Sequence, residues 1–166
     1  GKEVIEESDE SLLLRVGAAE DWDSLVEWCV SRGYHGLENL SLIPGEAGAS
    51  AVQNIGAYGV EVESFIEKVE TLHVETGAVR IFQHDECEYG YRTSTFKQTH
   101  KGQFIVTHVQ YRLSKTFHPQ TSYGALKSLS ENGSTPPTAT EVRNEVIRIR
   151  REKLPDPKEI GSAGSF

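Results

Sequence analysis

Three stretches of the chain carry residue types that could do chemistry. The first is the run GLENLSLIPGEAGASAVQNIGAYG, residues 36–59, with glycines at 36, 45, 48, 56 and 59. So many small residues let the backbone approach another group closely, and its amides could cradle a phosphate or a flat cofactor. The run is not the G-x-G-x-x-G of a dinucleotide fold and lacks the lysine of a P-loop. Tight structural turns and ligand binding therefore both stand as readings. The second stretch is ECEYGYRTSTFK, residues 86–97, in which Tyr91-Arg92 could clamp a carboxylate bidentately or form a surface ion pair. The third is the basic cluster Arg148, Arg150, Arg151 and Lys153. It reads as a receiver for a phosphate or diphosphate, or as a solvated helix end where cations are favoured anyway.

Other candidates carry less. Ser162 and Ser165 sit among glycines near the end, with no G-x-S-x-G elbow around them. The histidines at 35, 73, 84, 100, 108 and 118 are scattered and give no zinc-type spacing. Cys29 and Cys87 are not in a paired or metal-like spacing and read as free thiols, one of them a possible core residue. Asn132-Gly133-Ser134 matches a glycosylation triplet but reads as a turn.

These residues must be positioned by regular elements. SLLLRV, residues 11–16, reads as a buried strand. Residues 20–32 read as a helix, with Trp22, Leu25, Val26 and Cys29 on one face, Asp21 at its positive end and Gly33 ending it. Residues 61–73 alternate imperfectly through Phe65, Glu67, Val69 and Leu72, which predicts a strand with an irregularity. Glu75-Thr76-Gly77 then turns into a second strand, VRIF. Residues 86–97 read as a loop at a sheet edge. QFIVTHVQYRL, residues 103–113, is the clearest strand, with Ile105, Thr107, Val109, Tyr111 and Leu113 assigned to one face. Residues 114–137 are turn-rich. Residues 139–151 read as a helix with a Thr138/Glu141 capping box and a Val142, Val146, Ile149 stripe. Strands and helices mix without a strand-helix-strand rhythm, so the expected class is α+β.

Charge excludes some partners. With 17 basic and 25 acidic residues the net charge is −8, which repels nucleic acid and anionic membranes. No apolar run approaches the roughly 20 residues of a membrane helix, and the opening GKEVIEESDE lacks the apolar core of a secretory signal. The expectation is a soluble, cytoplasmic protein with no nucleic-acid, membrane or metal partner.

Taken together, three segments resemble a known family. The 36–59 run looks like the flavin-contacting stretch of the UDP-N-acetylenolpyruvoylglucosamine reductases (MurB). YGYRTSTFK, residues 89–97, looks like their arginine motif, and RREKLPDPKEIGSAGSF, residues 150–166, looks like their K-L-P-x-P-K…G-x-A-G-S-F motif. The resemblance spans essentially the whole chain, in order. It implies an α+β FAD-binding subdomain of the vanillyl-alcohol-oxidase (PCMH) type, an antiparallel sheet packed with helices. Residues 1–154 would be the second FAD-binding subdomain, and 155–166 the start of a substrate-binding domain. Tyr123-Gly124-Ala125-Leu126 resembles the tyrosine loop of the type I branch.

The family chemistry implied has two halves. NADPH reduces FAD, and the flavin then passes a hydride to the enolpyruvyl group of the UDP-sugar, an enzyme acid supplying the proton, in peptidoglycan precursor synthesis. By motif position Ser165 resembles the proton donor and Arg92 the residue that steadies the substrate carboxylate, with Tyr91 in support. Tyr123, Lys153 and Arg150 resemble contacts to the UDP-sugar. Ile43, Pro44, Gly45, Gly48, Ala49, Ser50, Asn54, Gly56 and Gly59 resemble the flavin-side wall.

The chain also departs from the family pattern. It has no counterpart of the family's diphosphate-binding loop or of its C-terminal catalytic glutamate, and Glu46 stands where a small or neutral residue is usual. The resemblance therefore implies a piece of a larger enzyme, inactive by itself, whose partners are the missing N- and C-terminal parts. The alternative is a non-catalytic module that has kept the flavoprotein scaffold.

Overall fold

A computed structural model describes residues 1–131 and 135–154. Among the described residues seven strands and four α-helices follow one another as β1 (Lys2–Glu7), β2 (Ser11–Gly17), α1 (Trp22–Ser31), α2 (Ala47–Gln53), β3 (Gly56–Ala57), β4 (Val60–Glu61), β5 (Ile66–His73), β6 (Val79–Gln83), β7 (Phe104–Ser114), α3 (Lys127–Glu131) and α4 (Ala139–Lys153). Five strands form one antiparallel sheet in the order β1-β2-β7-β5-β6, and β3 and β4 form a separate two-stranded hairpin. The α+β class is as expected.

One face of the sheet carries the core. Leu12, Leu14 and Val16 of β2 pack with Trp22, Leu25, Val26 and Cys29 of α1 and with Val69, Phe82, Val109 and Tyr111. Helix α1 starts where Asp21 accepts a bond from the Ser24 amide (2.9 Å), and it ends at Gly33, whose φ of +70° suits a residue without a Cβ. Both cysteines are buried free thiols, pushed by burial up to about 12 (Cys29) and about 11 (Cys87), which makes them poor nucleophiles near neutral pH. Leu13 points to the opposite face and is nonetheless shielded from solvent; its cross-strand neighbours Glu6 and Arg112 pair with each other at 2.8 Å.

The long strand β7 corrects its sequence-based face. Only Val109, Tyr111 and Leu113 share the core side. Pairing jumps from Glu70↔His108 to Thr71↔Val106, so Thr107 is an extra residue that reverses the alternation. Ile105 is thereby turned outward, 56% exposed, while Phe104 and Val106 pack on the core. The irregularity expected in 61–73 is real: a 3-10 turn at Val62–Ser64 precedes β5, and the register slips again at Glu67.

Five elements were not predicted. β1 is too charged to show a clean alternation, α2 is made of small residues, β3 and β4 are only two residues each around the end of the glycine-rich run, and α3 is a short turn of helix in a polar stretch. The loop after β6 is also less peripheral than its composition suggests, since Ser94, Thr95 and Phe96 are buried and the Ser94 hydroxyl donates to the Val52 carbonyl at 2.7 Å. The triplet Asn132-Gly133-Ser134 lies outside the described residues.

On the outer face, Glu70 accepts from Arg15 Nε and Nη2 (both 2.7 Å) and from Gln110 (2.8 Å). The Arg15 guanidinium, more than any other group, lowers its carboxyl from 4.5 to about 2. A carboxyl depressed in the folded state stabilises above its unfolded value and loses that stabilisation as pH falls toward its folded value. We expect Glu70→Gln to cost about 1–2 kcal/mol at neutral pH. The difference from wild type should vanish between about pH 4.5 and about pH 2. Urea unfolding at a series of pH values checks this.

Candidate functional site

The site is built on residues that leave the core just before α2. Asp23, in the first turn of α1, accepts from both ends of the Arg143 guanidinium (2.6 and 3.1 Å) and from the Leu42 amide (2.6 Å). Burial by itself would raise the Asp23 carboxyl, but Arg143 and the Leu42 amide outweigh it and hold it below the ordinary range. Leu42 has a left-handed φ of +57°, unusual for a branched side chain, and its carbonyl accepts from Arg150 Nε at 3.1 Å. Helix α4 is thus bolted to α1 through Arg143 and to the 42–45 segment through Arg150.

Beyond Leu42 the chain forms an outward strip. Pro44, Gly45, Glu46 and Ala49 are exposed and Ile43 is half-buried. Gly45 (φ +121°) has open space where a side chain would project. Of the other expected wall residues, Gly48, Ser50 and Asn54 face inward, Gly56 is half-buried and Gly59 is exposed. A Cβ at Gly48 would lie 2.7 Å from that of Ala18. The Ser50 hydroxyl donates to the Ala47 carbonyl (2.7 Å) and meets the Tyr111 hydroxyl (2.9 Å). Asn54 is fully buried. The amides of Ala47 and Gly48 are spent on the carbonyls of Glu20 and Ala18 (both 2.9 Å). The strip thus presents Pro44, Gly45 and Ala49 outward beside half-buried Ile43, and the Ala47 and Gly48 amides at the start of α2 are not free for a diphosphate. Glu46, which stands out against the family pattern, is exposed and bears no desolvation penalty.

Next comes the β3–β4 hairpin, with Tyr58 (φ +49°) and Gly59 (φ +80°) at its tip, as a two-residue turn of this kind requires. Its base holds Arg92. Tyr91 and Arg92 form the tip of a tight turn closed by two backbone bonds between Gly90 and Thr93 (3.2 and 3.1 Å). Arg92 has φ +54°, and the Lys97 ammonium donates to its carbonyl (2.9 Å). A left-handed arginine costs about 1–2 kcal/mol, a strain that the surrounding bonds sustain. The guanidinium donates through Nη2 to the Gly56 carbonyl (2.6 Å) and through Nη1 to Glu61 (3.3 Å) and to the Asn54 carbonyl (3.5 Å). The Tyr91 ring, 80% exposed, lies 4.8 Å from its carbon. Among the described residues Nε has no partner and Nη2 spends one of its two hydrogens on Gly56, so Nε–H and the second Nη2 hydrogen remain for another acceptor. The Nε–Nη2 edge is the one with which Arg15 grips Glu70.

The hairpin tip, roughly 7 Å from its base at strand rise, meets the other expected residues. Gly59 lies against Tyr123, whose Cβ would be 3.3 Å from a Cβ at position 59. Buried Asn39, missed in the sequence, donates to the carbonyls of Tyr58 (3.0 Å) and Gln120 (2.8 Å), tying the tip to the Tyr123 loop. A polar residue between Leu37 and Leu40 was the available signal. Burial raises the Tyr58 phenol, and neighbouring Arg150 offsets part of that rise. The basic cluster does not act as one patch. Arg148 pairs with Glu145 and Glu152, Arg150 is turned to Leu42, and Arg151 and Lys153 are exposed. Ser162 and Ser165 lie outside the described residues. Within those residues no group of three or more His, Cys, Asp or Glu could hold a metal, and no helix is long and apolar enough to cross a membrane.

Comparison with known proteins places this geometry. Residues 2–82 match the family model described as an FAD binding domain. The chain is 51% identical over its whole length to the UDP-N-acetylenolpyruvoylglucosamine reductase of Bacteroides fragilis, covering 49% of that protein. It is 48% identical over 98% of its length to the enzyme of the same name from Porphyromonas gingivalis, covering 48% of it. The crystal structure of UDP-N-acetylenolpyruvylglucosamine reductase (MurB) from Thermus caldophilus superimposes with a TM-score of 0.61 at 27% identity, over 85% of this chain and 44% of that one. Over its whole length the chain is similar to UDP-N-acetylenolpyruvoylglucosamine reductases. It spans about half the length of the curated relatives it matches. The MurB fold thus accounts for the antiparallel sheet and its flanking helices.

Two glycines that flank the site, buried Gly48 and half-buried Gly56, should respond differently to a methyl group. In Gly48→Ala the clash is with the Cβ and backbone of Ala18, which cannot swing away, and about 1–3 kcal/mol is expected. In Gly56→Ala the nearest atom, 2.4 Å away, is Arg92 Nη1, the mobile end of a long side chain. We expect a smaller loss of stability there, with the guanidinium displaced from the Gly56 carbonyl. Urea midpoints and the Arg92 Nε–H resonance distinguish the two.

Proposed function

We propose that this chain is the central portion of an FAD-dependent reductase that converts UDP-N-acetyl-3-O-(1-carboxyvinyl)-glucosamine to UDP-N-acetylmuramate with NADPH, a cytoplasmic step of peptidoglycan precursor synthesis that serves cell-wall biogenesis, cell shape and division. In this reading residues 1–154 form the second FAD-binding subdomain of a type I enzyme, and 155–166 begin the substrate domain. The observation that carries it is the state of Arg92: Nη1 and one Nη2 hydrogen anchored to the protein, a Nε–Nη2 edge whose Nε–H has no partner among the described residues, and an exposed tyrosine beside it. Such an edge takes a planar carboxylate in two parallel bonds, and a carboxylate is what distinguishes an enolpyruvyl sugar from its parent.

FAD, when bound, supplies the hydride relay between NADPH and the enol ether. Ile43, Pro44, Gly45 and Ala49 form a surface on which its ring can lie, while the interior positions Gly48, Ser50 and Asn54 keep that surface in place. Arg92 binds the substrate carboxylate and stabilises the charge that grows on it as the terminal methylene carbon accepts hydride. Tyr91 shields that ion pair from water. Ser165 delivers a proton to the neighbouring carbon, its hydroxyl needing a local field to do so. Tyr123, over Gly59, and Lys153, at the end of α4, meet the sugar and diphosphate. Arg150 serves the same end of the site and holds Leu42. In this reading the loop that binds the FAD diphosphate and a second catalytic acid belong to other parts of the enzyme, and this chain by itself is inactive.

In the full-length enzyme, Ser165→Ala should leave reduction of FAD by NADPH at its wild-type rate and slow reoxidation by the enolpyruvyl sugar by about 10²–10⁴-fold. Stopped-flow absorbance of the flavin measures both halves; equal slowing would remove Ser165 from the proton-donor role. The 166-residue chain alone should purify without stoichiometric flavin absorbance.

A further inference from the structure

The Nε–Nη2 edge of Arg92 is useful only if the rest of the guanidinium stays still. An arginine side chain gives up about 2 kcal/mol of rotamer freedom when it is fixed, and Arg92 is 40% exposed on its own strained turn. The Gly56 carbonyl holds Nη2 alone and would let the plane rotate about that contact. The second hold is Glu61, whose Oε1 accepts from Nη1 at 3.3 Å. Glu61 is itself pinned: its Oε2 accepts from Asn54 Nδ2 at 3.1 Å. Asn54 is fully buried, receives the Glu63 amide on Oδ1 (3.1 Å) and donates to the Gly90 carbonyl (2.9 Å). One buried amide thus joins the strand that bears Glu61 to the turn that bears Arg92.

We infer that Glu61 is the positioning residue of the carboxylate clamp, fixing the outer edge of Arg92 so that its Nε–Nη2 edge faces the substrate carboxylate. The inference rests on the reading of Arg92 as that clamp. Electrostatics argue for positioning over added attraction, because a carboxylate already bound to Arg92 weakens its pull on a second one. What Glu61 contributes is a fixed plane, which favours a ligand able to accept two in-plane bonds over one that merely carries charge.

The test uses the full-length oxidised enzyme and calorimetry, without turnover. Two ligands are compared: the enolpyruvyl UDP-sugar and UDP-N-acetylglucosamine, which lacks the carboxylate. Glu61→Ala, and Glu61→Asp, which withdraws the acceptor while keeping the charge, should weaken the first ligand roughly tenfold, the worth of one hydrogen bond to a charged group. Affinity for the second should stay within about twofold of wild type. Glu61→Gln keeps an oxygen acceptor and should recover most of the lost affinity. If both ligands weaken together, or neither does, Glu61 is not a positioning residue. If Arg92→Lys leaves the affinity for the carboxylated sugar unchanged, the clamp reading itself fails; if Arg92→Lys weakens it and the Glu61 variants do not, only the inference about Glu61 falls.

Discussion

Much of the structure around the site hangs on the peptide unit of Leu42. Its amide is taken by Asp23 and its carbonyl by Arg150, while Arg143 closes the other side of Asp23. Three elements distant in sequence, α1, the 42–45 segment and α4, are thereby locked to one backbone unit. Its φ of +57° is one that a leucine adopts only under such constraint. The ion pair is partly buried and bidentate, so removing one partner would leave a charge without compensation. The outward path of Ile43, Pro44 and Gly45 follows from this anchoring.

The glycine-rich segment divides by task once its neighbours are known. Gly48 lets α2 lie directly on Ala18; Gly56 leaves room for the Arg92 guanidinium; Gly59 completes a tight turn beneath Tyr123; and Gly45 faces open space. Only the last belongs to a surface that a ring could occupy. Small residues that look alike in a sequence thus serve helix packing, side-chain clearance, turn geometry and ligand approach.

The β3–β4 hairpin gives these parts a common frame. Its base carries Gly56 and Glu61 against Arg92, and its tip carries Tyr58 and Gly59 against Asn39, Tyr123 and Arg150. A rigid element of this length sets the spacing between Arg92 and the Tyr123 loop.

Reading the sequence alone reached β2, α1, β5, β6 and α4, because each has a strong local signal: a run of leucines, a helical stripe, an alternating segment with its turn, a capping box. Motif resemblance brought out the family and named Arg92. Tertiary structure decided what local patterns cannot encode. The bulge at Thr107 reversed half of β7, since register depends on the partner strand. Small-residue α2 and charged β1 became regular only by docking on the sheet. The Arg92 turn, with the arginine in a left-handed conformation, and the roles of Asp23, Asn39 and Glu61 arise from hydrogen bonds between residues far apart in the chain. A single residue type cannot announce such a partner, because the bond exists only after the backbone has brought both ends together.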